Sequence, residues 1–194
     1  MGLDIRAYGG VKLVKETDFN IECMWEWAEE NIEGDKFTIP FSNPYFPTQS
    51  IGISDGVYTF EDCYSQFSRS YSGYSTLREA IAKASGVEPM TILEDSFNKP
   101  STLDYGGSRQ SYIKTLPYLS RYWFGTDTPY TLGLLLNFSD CEGVINLVCC
   151  KMILEGLMVI DERHPAILEH ARSFHDLKET FKFAVVNNGF VEFS

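Results

Sequence analysis

A chain of 194 residues, 44% hydrophobic and 14% aromatic, can bury one sizeable core, and its 27 acidic against 16 basic residues leave a formal net charge of -11. That balance disfavours nonspecific binding to DNA, RNA or an anionic membrane surface, which repel an acidic protein unless its few cations are concentrated in one place. The acidic residues are scattered (Glu29-Glu30, Glu94-Asp95, Asp161-Glu162) and form no tail, so their plain role is solubility.

Leu3, Ile5 and Ala7 alternate with Asp4, Arg6 and Tyr8, and Gly9-Gly10 separates them from Val11 and Leu13, which predicts two strands joined as a hairpin. From Ile21 to Asn31 the pattern is two-sided: Cys23, Trp25 and Trp27 alternate as in a strand, whereas Trp-Glu-Trp-Ala-Glu-Glu favours a helix. Pro40, Pro44, Pro47, Gly52 and Gly56 predict an irregular packed loop over 40–56. Leu77, Ala80, Ile81 and Ala84 share a helical face, with Thr76 and Glu79 spaced as a capping box, which predicts a helix over 75–85 that Gly86 ends.

The segment from Lys99 to Tyr130 carries Gly106-Gly107, Pro117, Gly125 and Pro129 and is long for a plain connection, as segments that cover a pocket often are. Thr131 to Phe138 is expected to be a buried strand, and Cys141 to about Val159 a helix that is apolar nearly all round. Pro165 opens a last helical period through Ile167, Ala171, Phe174, Leu177, Phe181 and Val185 to the stop at Asn188-Gly189, and Phe190 to Phe193 forms a final strand. The expectation is one α+β domain over 1–194, in which a mainly antiparallel sheet of the terminal strands and Thr131 to Phe138 is packed by about three helices.

Five cysteines, an odd number, with Cys149 and Cys150 in an apolar stretch, fit core residues in a reducing cytoplasm. No basic and apolar leader pattern opens the sequence, and the apolar runs break before about 18 residues, so a cytoplasmic, non-spanning protein is expected. Gly2 invites myristoylation, but Arg6 stands where that motif needs Ser or Thr.

Two polar runs carry the candidate chemistry. Asn137-Phe138-Ser139-Asp140-Cys141-Glu142-Gly143 is read as a strand, a turn and a helix start, where free backbone N–H groups gather and Asn137, Ser139, Asp140 and Glu142 could meet a hydroxyl-rich ligand. Ser139 and Glu142 also have capping-box spacing, which needs no ligand. In the second run, Ser70-Tyr71-Ser72-Gly73-Tyr74, tyrosines can stack on a planar ring while Arg78 supplies positive charge. The two runs are expected to line one concave site. A hydrolase using Asp140, Cys141 or Glu142 is an alternative; His164, His170 and His175 miss the i, i+4 spacing of a two-histidine metal site, and no metal or cofactor is expected.

Met1-Gly2-Leu3-Asp4-Ile5 through Tyr8, Ser70 to Tyr74 with Arg78, Asn137 to Ile145 and Asn188 to Phe193 together resemble a family of uncharacterised small phage and prophage proteins, over about a quarter of the chain. The sequence departs from that pattern at Leu77, where an aromatic is expected, at Asn146, where glycine is usual, and over 21–50. The resemblance implies an accessory protein in the host cytoplasm that disarms a defence. It would do so by sequestering a small nucleotide-like ligand in the residues above or, alternatively, by covering a host defence protein with an acidic surface; a homo-oligomer is compatible with both.

Overall fold

The computed structural model describes residues 2–16, 21–34, 36–40, 50–86, 130–136, 138 and 143–194. These form strands β1 (Gly2–Gly9), β2 (Lys12–Glu16), β3 (Phe37–Thr38), β4 (Gly56–Thr59), β5 (Asp62–Ser70), β6 (Gly143–Ile145) and β7 (Phe190–Phe193). The helices are α1 (Ile21–Asn31), α2 (Tyr71–Ala84), α3 (Tyr130–Leu136), α4 (Leu147–Met158), α5 (Pro165–Leu168) and α6 (Ala171–Val186). The chain is α+β, and among the described residues every strand pairing is antiparallel.

The main sheet has the order β5-β1-β7-β6 and a smaller one the order β2-β4-β3. One face of the main sheet carries Leu3, Ile5, Ala7, Phe67, Val191 and Phe193 into a core with α2, α3, α4 and α6, where Phe174, Leu177, Phe181 and Ala184 of α6 repeat at helical spacing. Its other face is covered by the smaller sheet through Tyr8, Tyr58, Val144 and Phe190, flanked by Leu13 and Phe60.

Several expectations are corrected. β1 and β2 are strands but not a hairpin: β1 pairs with β5 and β7, and β2 with β4. At Gly9 and Gly10 the chain leaves one sheet for the other, with Gly10 at a φ of 63° and its N–H donating to the Asn187 carbonyl. The strand expected over Thr131 to Phe138 is a helix, Tyr130–Leu136, and the helix expected from Cys141 to about Val159 runs from Leu147 to Met158, with a strand, Gly143–Ile145, before it. A short apolar run does not by itself distinguish a buried strand from a buried helix. Here the leucines at 132 and 134–136, not branched at Cβ, follow helix propensity, and β-branched Val144-Ile145 follow strand propensity.

The 75–85 helix starts at Tyr71, because Ser70 caps it by accepting from the Gly73 N–H at 3.1 Å; the Thr76 hydroxyl instead donates back to the Gly73 carbonyl. The last helical stretch is split into α5 and α6, with His164 capping the first by accepting from the Ala166 N–H. The ambiguous 21–31 segment is helix, and β5 is a strand that the alternation pattern hid. Its register slips between Ile5 and Ala7 of β1, so Ser65 and Gln66 face Arg6 together, and this bulge sets Tyr64 and Phe67 three positions apart on one face.

The end of α6 tests the closeness of this packing. Asn188 takes the left-handed conformation at φ 50°, and the Gly189 N–H donates to the Ala184 carbonyl at 2.8 Å, closing a Schellman-type end. A Cβ on Gly189 would lie 1.5 Å from the Tyr8 carbonyl oxygen. Gly189→Ala is therefore expected to cost at least about 3 kcal/mol, seen as a fall in Tm of roughly 6–12 °C; a Tm within a degree of the parent would show that β1 and β7 can separate at no cost.

Candidate ligand cleft

Alternation along β1 sends Asp4, Arg6 and Tyr8 to the face opposite Leu3, Ile5 and Ala7. The smaller sheet lies over that face without closing on it completely, leaving a cleft of about 290 Å³ lined by Asp4, Arg6, Tyr8, Phe37, Phe60, Cys63, Ser65 and Phe67. β1 and β5 provide the floor, and Phe37 and Phe60 come from the smaller sheet and its exit, Phe60 lying 4.9 Å from the Tyr8 ring between centroids. Arg6 stays half exposed and pairs with Asp4 at 3.7 Å, so its guanidinium remains accessible from the opening.

A polar latch lies behind this wall. The Tyr8 hydroxyl donates to Glu192 Oε2 at 2.8 Å, and the Thr38 hydroxyl donates to the same oxygen at 3.1 Å, joining β1 and β7 of the main sheet to β3 of the smaller one. Burial pushes the Glu192 carboxyl above its ordinary value, while these two hydrogen bonds and the charge of Arg6 draw it part of the way back. Burial and the Glu192 charge also raise the Tyr8 phenol, which stays a neutral donor. Cys63 lines the cleft, but burial raises its thiol despite nearby Arg6, so it is not poised as a thiolate nucleophile.

Of the residues singled out from sequence, Ser70, Tyr71, Ser72, Tyr74 and Arg78 lie elsewhere. Ser70 is the cap of α2, with its hydroxyl 3.2 Å from that of Ser72, and Tyr71 packs its partly buried ring on the main core. Tyr74 is fully buried beside Phe67 and Phe193. Arg78, 5% exposed, donates to the carbonyls of Phe138 at 2.9 Å and Leu136 at 3.5 Å and lies over the Tyr74 ring at 4.7 Å. Its charge closes the end of α3.

Asn137, Ser139, Asp140 and Glu142, with Cys141, lie outside the described residues, and so does the 99–129 segment expected to cover a pocket. The helix start assigned to them belongs to Asn146, whose side chain accepts from the Cys149 N–H at 2.8 Å. Ser70 stands opposite Gly2, while Gly143 is opposite Phe193 and Phe193 opposite Ile5, so β5 and β6 meet the two polar runs at the same end of the main sheet. They are its two edge strands, three strand spacings or about 14 Å apart. In the core beneath this end of the sheet the buried Phe193 ring lies 6.1 Å from Tyr74 and 4.8 Å from Phe138 between centroids.

The cleft itself was signalled only by Asp4, Arg6 and Tyr8 sharing a face, a pattern that equally describes a solvated one. Among the described residues, no helix is long and apolar enough to cross a membrane, and no His, Cys, Asp and Glu group could hold a metal ion. No protein-family model, curated protein or solved structure matches the chain.

Two substitutions check these assignments. Arg78→Ala leaves two carbonyls short of a buried donor and is expected to cost about 2–4 kcal/mol, a fall in Tm of several degrees; an unchanged Tm would remove Arg78 from the structural framework. For Glu192, a folded pKa above the unfolded one means that its stabilising contribution is full below the ordinary glutamate value and is lost as pH rises through the folded value. Glu192→Gln keeps an oxygen that can accept both hydroxyls. It is expected to be more stable than the parent at pH 8, by an amount that shrinks as the pH is lowered towards about 4, where the parent is protonated too. A pH-independent difference in Tm between the two proteins would refute this account of the latch.

Proposed function

We propose that this chain is a binding protein for a small nucleotide-like ligand, held in the cleft between the two sheets, and that it serves as a phage-type accessory protein acting by sequestration. The observation that carries this reading is the composition of the cleft: aromatic rings of Tyr8, Phe37 and Phe60 beside one accessible cation, Arg6, and the polar groups of Asp4 and Ser65. Rings receive a planar base, a guanidinium pairs with an anionic group, and a carboxylate and a hydroxyl take the hydrogen-bond donors of a base or sugar. The raised Cys63 thiol favours holding a ligand over attacking it.

Charge narrows the ligand. Arg6 is accompanied by Asp4 at 3.7 Å and by Glu192 behind, so the local balance tolerates one phosphate and opposes a chain of them. Nucleosides and monophosphates, including cyclic ones, fit this balance better than triphosphates.

A thermal-shift panel tests the proposal, since a ligand at a hundred times its Kd adds about 2.7 kcal/mol to the stability of the fold. The expected response is a rise in Tm with nucleosides or monophosphates, a smaller one with triphosphates and recovery of the ligand intact. Arg6→Gln should weaken binding of a monophosphate at least about tenfold, the equivalent of one charge-assisted contact, with little change in the ligand-free Tm. Phe60→Leu, which keeps apolar volume but loses the ring face, should weaken every planar ligand alike. A flat panel would overturn the reading.

A further inference from the structure

We propose that the outer edge of β5 pairs with β5 of a second copy of this chain, antiparallel about a twofold axis between Ser65 and Gln66. The edge adjoins the ligand cleft, which Cys63 and Ser65 of the same strand line, but the pairing rests on the backbone and charges of β5 and does not depend on what the cleft binds. β5 is the edge strand of the main sheet, nine residues long, and among the described residues nothing pairs with its outer side. An edge of that length offers unpaired N–H and C=O groups, which proteins usually guard with Lys, Pro or a covering segment. The sequence Asp62 to Ser70 contains neither Lys nor Pro, and Asp62, Ser65, Gln66, Ser68 and Ser70 are exposed.

The edge is self-complementary. With the axis between Ser65 and Gln66, Asp62 stands opposite Arg69 of the copy, Cys63 opposite its Ser68, and Tyr64 opposite its Phe67. The only two charges of the strand are thereby matched in sign, twice, by symmetry.

In a regular strand this register would fail. Residues an odd number of positions apart face opposite sides, so joining two sheets with their helical faces on the same side would set every pair out of phase. The bulge at Ser65 and Gln66 removes the mismatch. Ala7 and Ile5 place Tyr64 and Phe67 on the helical face, Leu3 places Arg69 there, and Gly9 places Asp62 there, while Tyr8 and Asp4 place Cys63 and Ser68 on the other. A bulge that commonly blunts an edge here brings the strand into phase with its own copy. The product is a continuous sheet of eight strands.

Sedimentation over a rising protein concentration should show a monomer–dimer equilibrium. Ser68→Cys should give, on mild oxidation, a covalent dimer in which peptide mapping joins Cys63 to the introduced thiol. The two positions lie about 17 Å apart within one strand, beyond the reach of an internal disulfide, and adding Cys63→Ser should abolish the product. Asp62→Arg should weaken dimerisation about tenfold through its two symmetry-related contacts, and Asp62→Arg with Arg69→Asp should restore it, even though the swap also removes the hydrogen bonds from Arg69 Nε–H to Ser173 Oγ and from the Cys63 N–H to Asp62 Oδ1 and so lowers the Tm. A monomer at every concentration, a dimer in which Ser68→Cys gives no link through Cys63, or a charge swap that fails to restore pairing would each overturn the proposal.

Discussion

Both faces of β1 are covered, and most of the structure follows from that constraint. Leu3, Ile5 and Ala7 are fully excluded from solvent by the helices, and Tyr8 on the other face is closed over by the smaller sheet. Of the polar residues on that second face, only Asp4 and Arg6, at the open margin, keep about half of their side-chain surface in water. Asp4 and Arg6 pair with each other at the margin, and the Tyr8 hydroxyl finds Glu192. The cleft exists because the second layer covers a face whose alternate residues are polar.

The same constraint places a carboxyl where water is scarce. Glu192 lies on the edge of the apolar cluster formed by Tyr8, Tyr58, Val144 and Phe190. It is kept there by two hydroxyl donors from different sheets, an arrangement that costs desolvation and returns a directional link between layers. Apolar packing alone would let the smaller sheet slide, whereas the convergence of Tyr8 and Thr38 on one oxygen sets where it rests. That position fixes how far Phe37 and Phe60 stand from the floor of the cleft.

Arg78 and Arg6 show how position decides the work of a cation. Both lie near aromatic rings. Arg78 is buried beside the carbonyls of Leu136 and Phe138, to which its Nη1 donates, while Nη2 donates to the Ser75 hydroxyl. Arg6, half exposed with Asp4 at 3.7 Å and with Tyr8 and Glu192 nearby, keeps capacity for a further anionic partner on its open side. Nothing in the local sequence of either residue distinguishes these environments.

Local pattern by itself determined the elements that depend on neighbours in sequence: the alternation of β1, the helix that ends at Gly86, the periodicity from Phe174 to Phe181, the stop at Asn188-Gly189 and the last strand. Each rests on a period of two or 3.6 residues or on a residue suited to a left-handed turn, and these are properties of a short peptide. Tertiary structure decided the rest. The leucines at 134–136 could be strand or helix until the core received them, β5 was concealed because its bulge breaks the alternation, and Gly9-Gly10 joins two sheets where a hairpin was equally well written. The ligand cleft lay beyond local pattern for the same reason: Asp4, Arg6 and Tyr8 on one face of a strand are solvated or enclosed according to what lies above them, and the covering residues Phe37 and Phe60 arrive from another sheet.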